Sequence, residues 1–142
     1  MLDDTSLSDV LVLAQACEDL ARASLHCAQA EYEDGALARS DFDDAFDDYD
    51  RAMQRARDLY ITASHQLTTQ IAGAATVMAL TAETKELCAS LANLKKTEHA
   101  LTIAFGVVTA VAAVTAAVLI PGIATSEAAA KAANDLRKTI TG

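Results

Sequence analysis

Apolar and small side chains recur at helical spacing through the first third of the chain. One face of this segment carries Leu7, Val10, Ala14, Cys17, Ala21, Ser24 and Ala28. Spacings of three and four residues predict a helix that begins near Ser6 and ends around Asp34–Gly35, a typical C-terminal signal. Ser6 and Asp9 have the spacing of a capping-box variant at its start.

A second periodic segment follows the connection formed by residues 35–40. Its apolar positions alternate in steps of four and three, at Phe42, Phe46, Tyr49, Met53, Ala56, Tyr60, Ala63 and Leu67. This heptad-like seam predicts a helix that starts with Ser40 as its cap and extends to about residue 82. Gly73 is the plausible bend in that long pattern.

The next apolar stripe keeps its phase from an amphipathic segment into a wholly apolar one. It consists of Leu80, Leu87, Leu91, Leu94, Leu101, Phe105, Val108, Ala112 and Leu119. Because the stripe keeps the same helical phase throughout, it predicts one helix over about 83–120. Pro121–Gly122 would end this helix. The alternative is a helical hairpin, in which residues 59–82 pack against residues 100–124 with residues 83–99 between them.

The last segment predicts a short polar helix over residues 126–140, with Thr125 or Ser126 as its cap. No stretch alternates apolar and polar residues long enough to predict a sheet. We therefore predict an all-α protein, an elongated bundle of four to five helices with one long, very hydrophobic helix. It forms a single domain, 1–142, made of an acidic helix and three further segments: 1–34, 41–82, 83–120 and 126–140.

Residues 100–126 contain no charged side chain in 27 positions. A helix on the surface of a soluble protein keeps a polar face toward water, and this run is long enough to cross a hydrocarbon core of ~30 Å. Insertion would be marginal, since each large apolar residue contributes only about −0.3 to −0.6 kcal/mol and the flanking Trp or Tyr of an aromatic belt is missing. The segment either enters a membrane or lies hidden among neighbouring helices or subunits.

Two faces of this segment are candidate functional surfaces. The membrane-inserting or subunit-facing residues are the large apolar ones: Leu101, Phe105, Val108, Val111, Val114, Val118 and Leu119. A face of small residues for helix packing is formed by Gly106, Ala110, Ala113 and Ala117. Because helix association in lipid relies on close packing, the small face predicts a homo-oligomer.

Charge is distributed unevenly along the chain. Residues 1–50 carry fourteen acids and two arginines, whereas residues 51–142 carry six acids and nine lysines or arginines. An acidic interaction surface is expected at the start of the second helix, at Asp43, Asp44, Asp47 and Asp48. No basic stripe could neutralise several phosphates, which excludes nucleic acid, and the Gly and Glu of a calcium loop are missing.

Residues that usually carry catalysis are scattered. The three histidines are His26, His65 and His99, and no two have the helical spacing of metal ligands. Cys17 and Cys27 lie roughly 15 Å apart along one helix and cannot bridge each other, although either could bridge Cys88 in an exported protein. We predict buried, reduced cysteines, and no enzyme activity, metal, cofactor or small-molecule substrate.

These features indicate a membrane-active helical protein whose segment 100–124 inserts into or associates with a bilayer and oligomerises. In layout, though not in any specific motif, it is similar to α-helical pore-forming toxins and secretion translocators. The alternative is a non-enzymatic structural or interaction subunit of a filament, ring or secretion apparatus, which buries the same segment between subunits. The chain shows no N-terminal signal peptide, so we expect membrane association or export by a signal-independent route.

Overall fold

The computed structural model describes residues 7–66, 71–94 and 99–141. It contains five helices, α1 (Leu7–Glu33), α2 (Arg39–Gln66), α3 (Ala74–Ala92), α4 (Ala100–Leu119) and α5 (Ile123–Thr141). No strand occurs in the described ranges. The predicted all-α bundle with one long apolar helix is confirmed, and that helix is α4.

Helices α1 and α2 lie antiparallel beside each other. Near their connection, the rings of Tyr32 and Phe42 stack with centroids 5.0 Å apart. Further along both helices, Arg57 Nε lies 3.5 Å from the carboxylate of Glu18. Apolar and aromatic contact therefore closes the α1–α2 turn, and an ion pair follows about two-thirds of the way down the pair.

Helix α3 runs parallel to α1, with Val12 near Met78 at one end and Cys27 near Leu91 at the other. Parallel neighbours need a connection that returns along the bundle, and α2 provides it. This arrangement places the start of α3 at the end of the bundle where α1 begins.

Helix α4 runs in the direction opposite to α1. Its first residue, Ala100, lies at the α1 C-terminus beside Glu31, and its last turn lies beside the segment before α3, where the N–H of Ala72 donates to the carbonyl of Val118 at 2.9 Å. Among the described helices, α4 is the one that contacts all four others. The most apolar helix therefore packs against every other described helix, as expected when burial of apolar area drives folding.

Two segment boundaries differ from the predictions. An unbroken helix over 83–120 is wrong, because α3 ends at Ala92 and α4 begins at Ala100. The second predicted segment, 41–82, likewise divides into α2 and the first half of α3, and Gly73 is the N-cap of α3. The hairpin alternative for residues 59–124 is wrong too, since α3 starts within its first arm.

Helix ends agree with the predictions where glycine or proline sets them, and differ at the hydroxyl caps. Gly35 follows α1 with φ +78°, a left-handed conformation that favours glycine. Ser40 lies inside α2. Thr125 lies inside α5, where its hydroxyl donates to the carbonyls of Ile120 and Gly122 instead of capping. The predicted cap Ser6 and the seam residue Leu67 lie outside the described residues.

The core face of α2 is rotated from its predicted seam. Phe46 is exposed, and Phe42 and Tyr49 are only partly buried. The buried apolar positions are mostly alanine: Ala45, Ala52, Met53, Ala56, Leu59 and Ala63. The core face of α2 therefore follows its alanines more than its aromatic residues.

Candidate functional site

Helix α4 divides lengthwise into a core face and an outward face. About half of it is buried, and it is the one helix in the described ranges that is long and apolar enough to cross a membrane. The core face consists of Ile103, Val107, Val111, Val114 and Val118. On the opposite side, Phe105 has 65% of its surface exposed, and Thr102 and Thr109 are exposed beside it.

The seven large apolar residues expected to meet lipid or another subunit do not share one environment. Val111, Val114 and Val118 belong to the core, with Val118 fully buried. Leu101, Val108 and Leu119 are partly buried at the boundary, and Phe105 is exposed. The predicted surface is therefore half core and half accessible, because sequence marks a residue as apolar without saying which side of the helix is covered.

The outward face is uncharged along the whole of α4, and the hydroxyl of Thr109 on this face is bonded within the helix. The hydroxyl of Thr109 donates to the carbonyl of Phe105 at 2.9 Å. On the core side, the hydroxyl of Thr115 donates to Val111 in the same way at 2.8 Å. A hydroxyl bonded within its own helix needs no water partner, so both threonines are compatible with an apolar neighbour.

The small-residue face is covered by α5 of the same chain. A Cβ placed on Gly106 would lie 3.0 Å from Cδ1 of Leu136. Below this contact, Ala110 lies near Ala133 around a cavity of only about 10 Å³, and Ala117 lies at the α5 N-terminal end. In this structure the small-residue face packs against α5 of the same chain, and its packing between subunits stays a prediction.

Few polar contacts hold α5 in place. The Arg137 guanidinium lies 3.4 Å from the carboxylate of Glu83 and 3.9 Å from that of Glu86, both on α3. The buried residues of α5 are three alanines and two larger aliphatic residues, Ala129, Ala132, Ala133, Leu136 and Ile140. Alanine methyl groups bury little area each, so Leu136 and Ile140 are the large side chains that α5 buries.

The start of α4 depends on a residue distant in sequence. His99 precedes α4 in the left-handed conformation, with φ 60°, and its side chain makes no capping hydrogen bond. Instead the carboxylate of Glu31 accepts a hydrogen bond from the N–H of Ala100 at 2.9 Å. A carboxylate at this position satisfies a free N–H and interacts favourably with the helix dipole.

The predicted acidic surface is reduced by one member. Asp43, Asp44 and Asp47 are exposed, and Asp43 pairs with Arg39 at 3.2 Å. Asp48 is buried instead and lies 3.4 Å from the guanidinium of Arg51. Burial raises the pKa of Asp48 despite the opposing effect of Arg51. Asp48 is therefore part of the bundle interior and not of an interaction surface.

All three cysteines are free thiols, with Cys17 and Cys27 buried and Cys88 partly buried. Burial raises the pKa of Cys17 to about 12 and also raises the pKa of Cys27 and Cys88. A protonated thiol is a poor nucleophile and a poor metal ligand. The bridge from either α1 cysteine to Cys88, left open by the sequence, is not formed.

Other chemistry-bearing residues are not brought together in the described part of the chain. The three histidines, His26, His65 and His99, are exposed at different positions along the bundle. Within the same residues, no three His, Cys, Asp or Glu side chains are grouped as metal ligands. The absence of catalytic, cofactor and metal sites stays a prediction.

No protein-family model, no curated protein and no solved structure matches this chain. Function therefore has to be inferred from the surfaces themselves, and α4 is the element whose sequence and environment differ most from those of an ordinary bundle helix.

Sequence reasoning did not single out two features of this region. Ile120 and Ile123 flank the α4–α5 turn and are 68% and 80% exposed. Their position on either side of Pro121–Gly122 was the available signal, because a Pro–Gly pair predicts a turn and connecting segments lie on the protein surface. No sequence signal connects Glu31 to Ala100.

Proposed function

We propose that the protein is a non-enzymatic, membrane-active helical bundle whose apolar segment 100–124 associates with a bilayer and oligomerises. The observation that supports this most is the outward face of α4. It carries no charge over the full helix, although Phe105 and Thr109 are exposed in the isolated chain. Solvent-facing helix surfaces normally carry charges, so this face suits a non-aqueous neighbour.

The outward face of α5 provides an internal comparison. Like α4, it is rich in alanine, yet its exposed positions include Glu127, Lys131, Asp135 and Lys138. Lys131 and Asp135 even pair with each other at 2.9 Å. An alanine-rich composition alone therefore does not make an outward face uncharged, and the difference between the two helices calls for a partner at α4.

Association and insertion make different demands on the fold. Contact through the outward face leaves Val111 and Val118 in the core. Spanning the bilayer would move these residues from the protein interior into lipid, so they would stay out of water. The main free-energy cost would be exposure of the apolar surface that α4 covers on α1, α2 and α5. We therefore propose surface association of the folded bundle as the first step, with opening as a later one.

Oligomerisation through the small-residue face would require displacement of α5. Gly106 and Ala110 are covered by Leu136 and Ala133. Besides this apolar contact, the Arg137 ion pairs with Glu83 and Glu86 link α5 to α3, and exposed ion pairs contribute at most about 1 kcal/mol each. Loss of α5 would free a face on which α4 helices of several chains could pack closely.

The second candidate is a structural or interaction subunit that buries the outward face of α4 against another copy. It is favoured by the small residues on that face, Thr109, Ala112 and Ala116, which permit close approach of a second helix. In this case the protein would assemble in solution and ignore lipid. Both candidates use the same surface, so one experiment can distinguish them.

The test is flotation of detergent-free protein with phosphatidylcholine vesicles, combined with dye release and with light scattering to measure the oligomer in solution. Phe105→Asp changes the outward face, and Phe46→Asp is the matched control at another exposed phenylalanine. We expect the wild-type protein and Phe46→Asp to float and Phe105→Asp to float less.

A protein that stays at the bottom of the gradient would overturn the membrane proposal. If the same sample forms an oligomer that Phe105→Asp dissociates, the subunit proposal takes its place. Flotation without dye release would limit the function to surface association.

A further inference from the structure

The α4–α5 turn presents the most exposed large apolar side chains of the described residues. Ile123 is 80% exposed and Ile120 is 68% exposed, with Pro121 and Gly122 between them. Exposure of a single isoleucine is ordinary, but two exposed isoleucines on one turn form a small apolar surface patch. The turn continues the uncharged segment that begins at Ala100.

The same end of the bundle contains an open groove of about 550 Å³ beside this turn. Ile71 and Ala72 line one side of it, and Ile123 and Ala130 line the other. The hydrogen bond from Ala72 N–H to Val118 O fixes the two sides relative to each other. Ile71, Ile120, Pro121, Gly122 and Ile123 together are called the apolar tip below.

Charge is concentrated at the opposite end of the bundle. Residues 31–50, which form the α1–α2 turn and its surroundings, carry nine acids and one arginine. Of the described residues that line the groove at the tip, Glu127 is the one with a charged side chain. Along a helix of 20 residues, such as α4, the two ends are separated by ~30 Å, about three Debye lengths at 0.1 M salt.

We propose that the apolar tip inserts first into a zwitterionic bilayer, with α4 and α5 approaching end-on and the acidic end held in water, and that the outward face of α4 makes contact with the bilayer afterwards. The inference rests on the proposed membrane function and adds the site and orientation of contact. The charge distribution supports lipid as the occupant, because end-on contact leaves the acidic end, residues 31–50, in water.

A second copy fits the tip less well than lipid does. Stable protein interfaces bury about 800 Å² and involve about 20–30 residues per partner, whereas the tip consists of five residues. Insertion of two isoleucines into lipid needs no such area, since each buried apolar side chain contributes on its own. The groove lining contains no lysine or arginine in its described part, so anionic headgroups are not required.

The chain contains no tryptophan, which allows one to be introduced as a reporter of depth. Three single variants place the tryptophan at different positions. Ile123→Trp places it at the tip, Phe105→Trp on the outward face of α4, and Phe46→Trp toward the acidic end. The probe is a vesicle of phosphatidylcholine with and without brominated chains, and flotation is measured on each sample.

We expect the Ile123→Trp emission to shift to shorter wavelength and to be quenched by brominated lipid, with the Phe46→Trp emission unchanged. The double variant Ile120→Asp/Ile123→Asp is expected to bind about tenfold or more weakly, whereas Met78→Asp, at an exposed methionine on α3, keeps binding. Binding is expected to be the same at low and high salt, because the contact is apolar.

Three results would overturn the inference, and they separate it from the proposed function. Flotation of the double variant at wild-type strength, or quenching at position 105 without quenching at 123, would reject the tip while keeping membrane association. Loss of binding at high salt would show that the contact is electrostatic and not apolar. Absence of flotation in all variants, wild type included, would reject both proposals.

Discussion

The carboxylate of Glu31 near the end of α1 accepts a hydrogen bond from the N–H of Ala100, the first residue of α4, at 2.9 Å. The two residues are 69 positions apart. The bond supplies a cap that His99 does not, and it places the start of the apolar helix against the acidic end of the bundle. This contact therefore holds the first N–H of α4 beside the C-terminal end of α1.

Replacement of Glu31 tests this cap. We expect Glu31→Ala to lower the free energy of unfolding by about 1–2 kcal/mol, the usual cost of a lost cap, and Glu31→Gln to lower it less because the amide oxygen still accepts. Glu33→Ala, at an exposed residue two positions later, is the control. Urea unfolding followed by circular dichroism measures all three, and equal losses for Glu31→Ala and Glu33→Ala would contradict the assignment.

A disulfide between α4 and α5 tests whether α5 has to leave. The Cβ positions of residues 106 and 136 lie 3.9 Å apart, within the ~3.5–4.5 Å of natural disulfides. In a background with the native cysteines changed to alanine, Gly106→Cys/Leu136→Cys should form the bond and gain about 3–4 kcal/mol from a loop of about 30 residues.

Under oxidising conditions this double variant should still float with vesicles but release no dye, and reductant should restore release. Leu136→Cys alone controls for the lost leucine. Dye release from the oxidised protein at the wild-type rate would show that α5 stays docked during membrane activity.

The two faces of α4 should respond oppositely to charge. Val111→Asp introduces a carboxylate at a buried position and is expected to cost several kcal/mol, enough to unfold a marginally stable bundle. Phe105→Asp lies on the outward face and should change stability by less than about 0.5 kcal/mol. Thermal melts followed by circular dichroism distinguish the two, and similar melting temperatures would mean that α4 is not half-buried.

Stability should fall at high pH because of Cys17. Its pKa is about 12 in the bundle against 9.0 for an unperturbed thiol, so the folded state holds the proton more tightly. The resulting stabilisation is complete below pH 9 and is lost as the pH rises toward 12. Cys17→Ala removes the titrating group and should show a smaller decrease in unfolding free energy between pH 8 and 11; an equal decrease would assign the effect to other groups.

Asp48→Asn should stabilise the protein at neutral pH. Burial and the neighbouring Asp44 and Asp47 raise the pKa of Asp48 above its ordinary value, so the folded state favours the protonated form. The stabilisation from that proton is complete below the pKa that Asp48 has in the unfolded chain, and it is lost as the pH rises through the pKa of Asp48 in the folded protein. At pH 7 the buried carboxylate is therefore unfavourable. The advantage of the asparagine should therefore shrink at acidic pH, and a loss of stability at pH 7 would show that the Arg51 pair outweighs burial.

Local chemistry was enough to predict the helices and several of their ends. The period of three and four residues gave the all-α class, Gly35 marked the end of α1, and Pro121–Gly122 marked the end of α4. These signals act within a few residues, through the φ/ψ limits of glycine and proline and through the repeat of the helix itself. The charge-free run of residues 100–126 was likewise evident from composition alone.

Only the tertiary structure decided where the apolar stripe breaks and which sides of the helices are covered. The break between Ala92 and Ala100 coincides with the hydrogen bond that the N–H of Ala100 donates to Glu31, a long-range partner that no local pattern encodes. Ala45 is buried and Phe46 is exposed because the two residues lie on different sides of α2, and packing against the neighbouring helices decides which side is covered. Gly106 faces α5 of its own chain for the same reason: spacing shows that a face is small, and only three-dimensional packing determines which helix fills it.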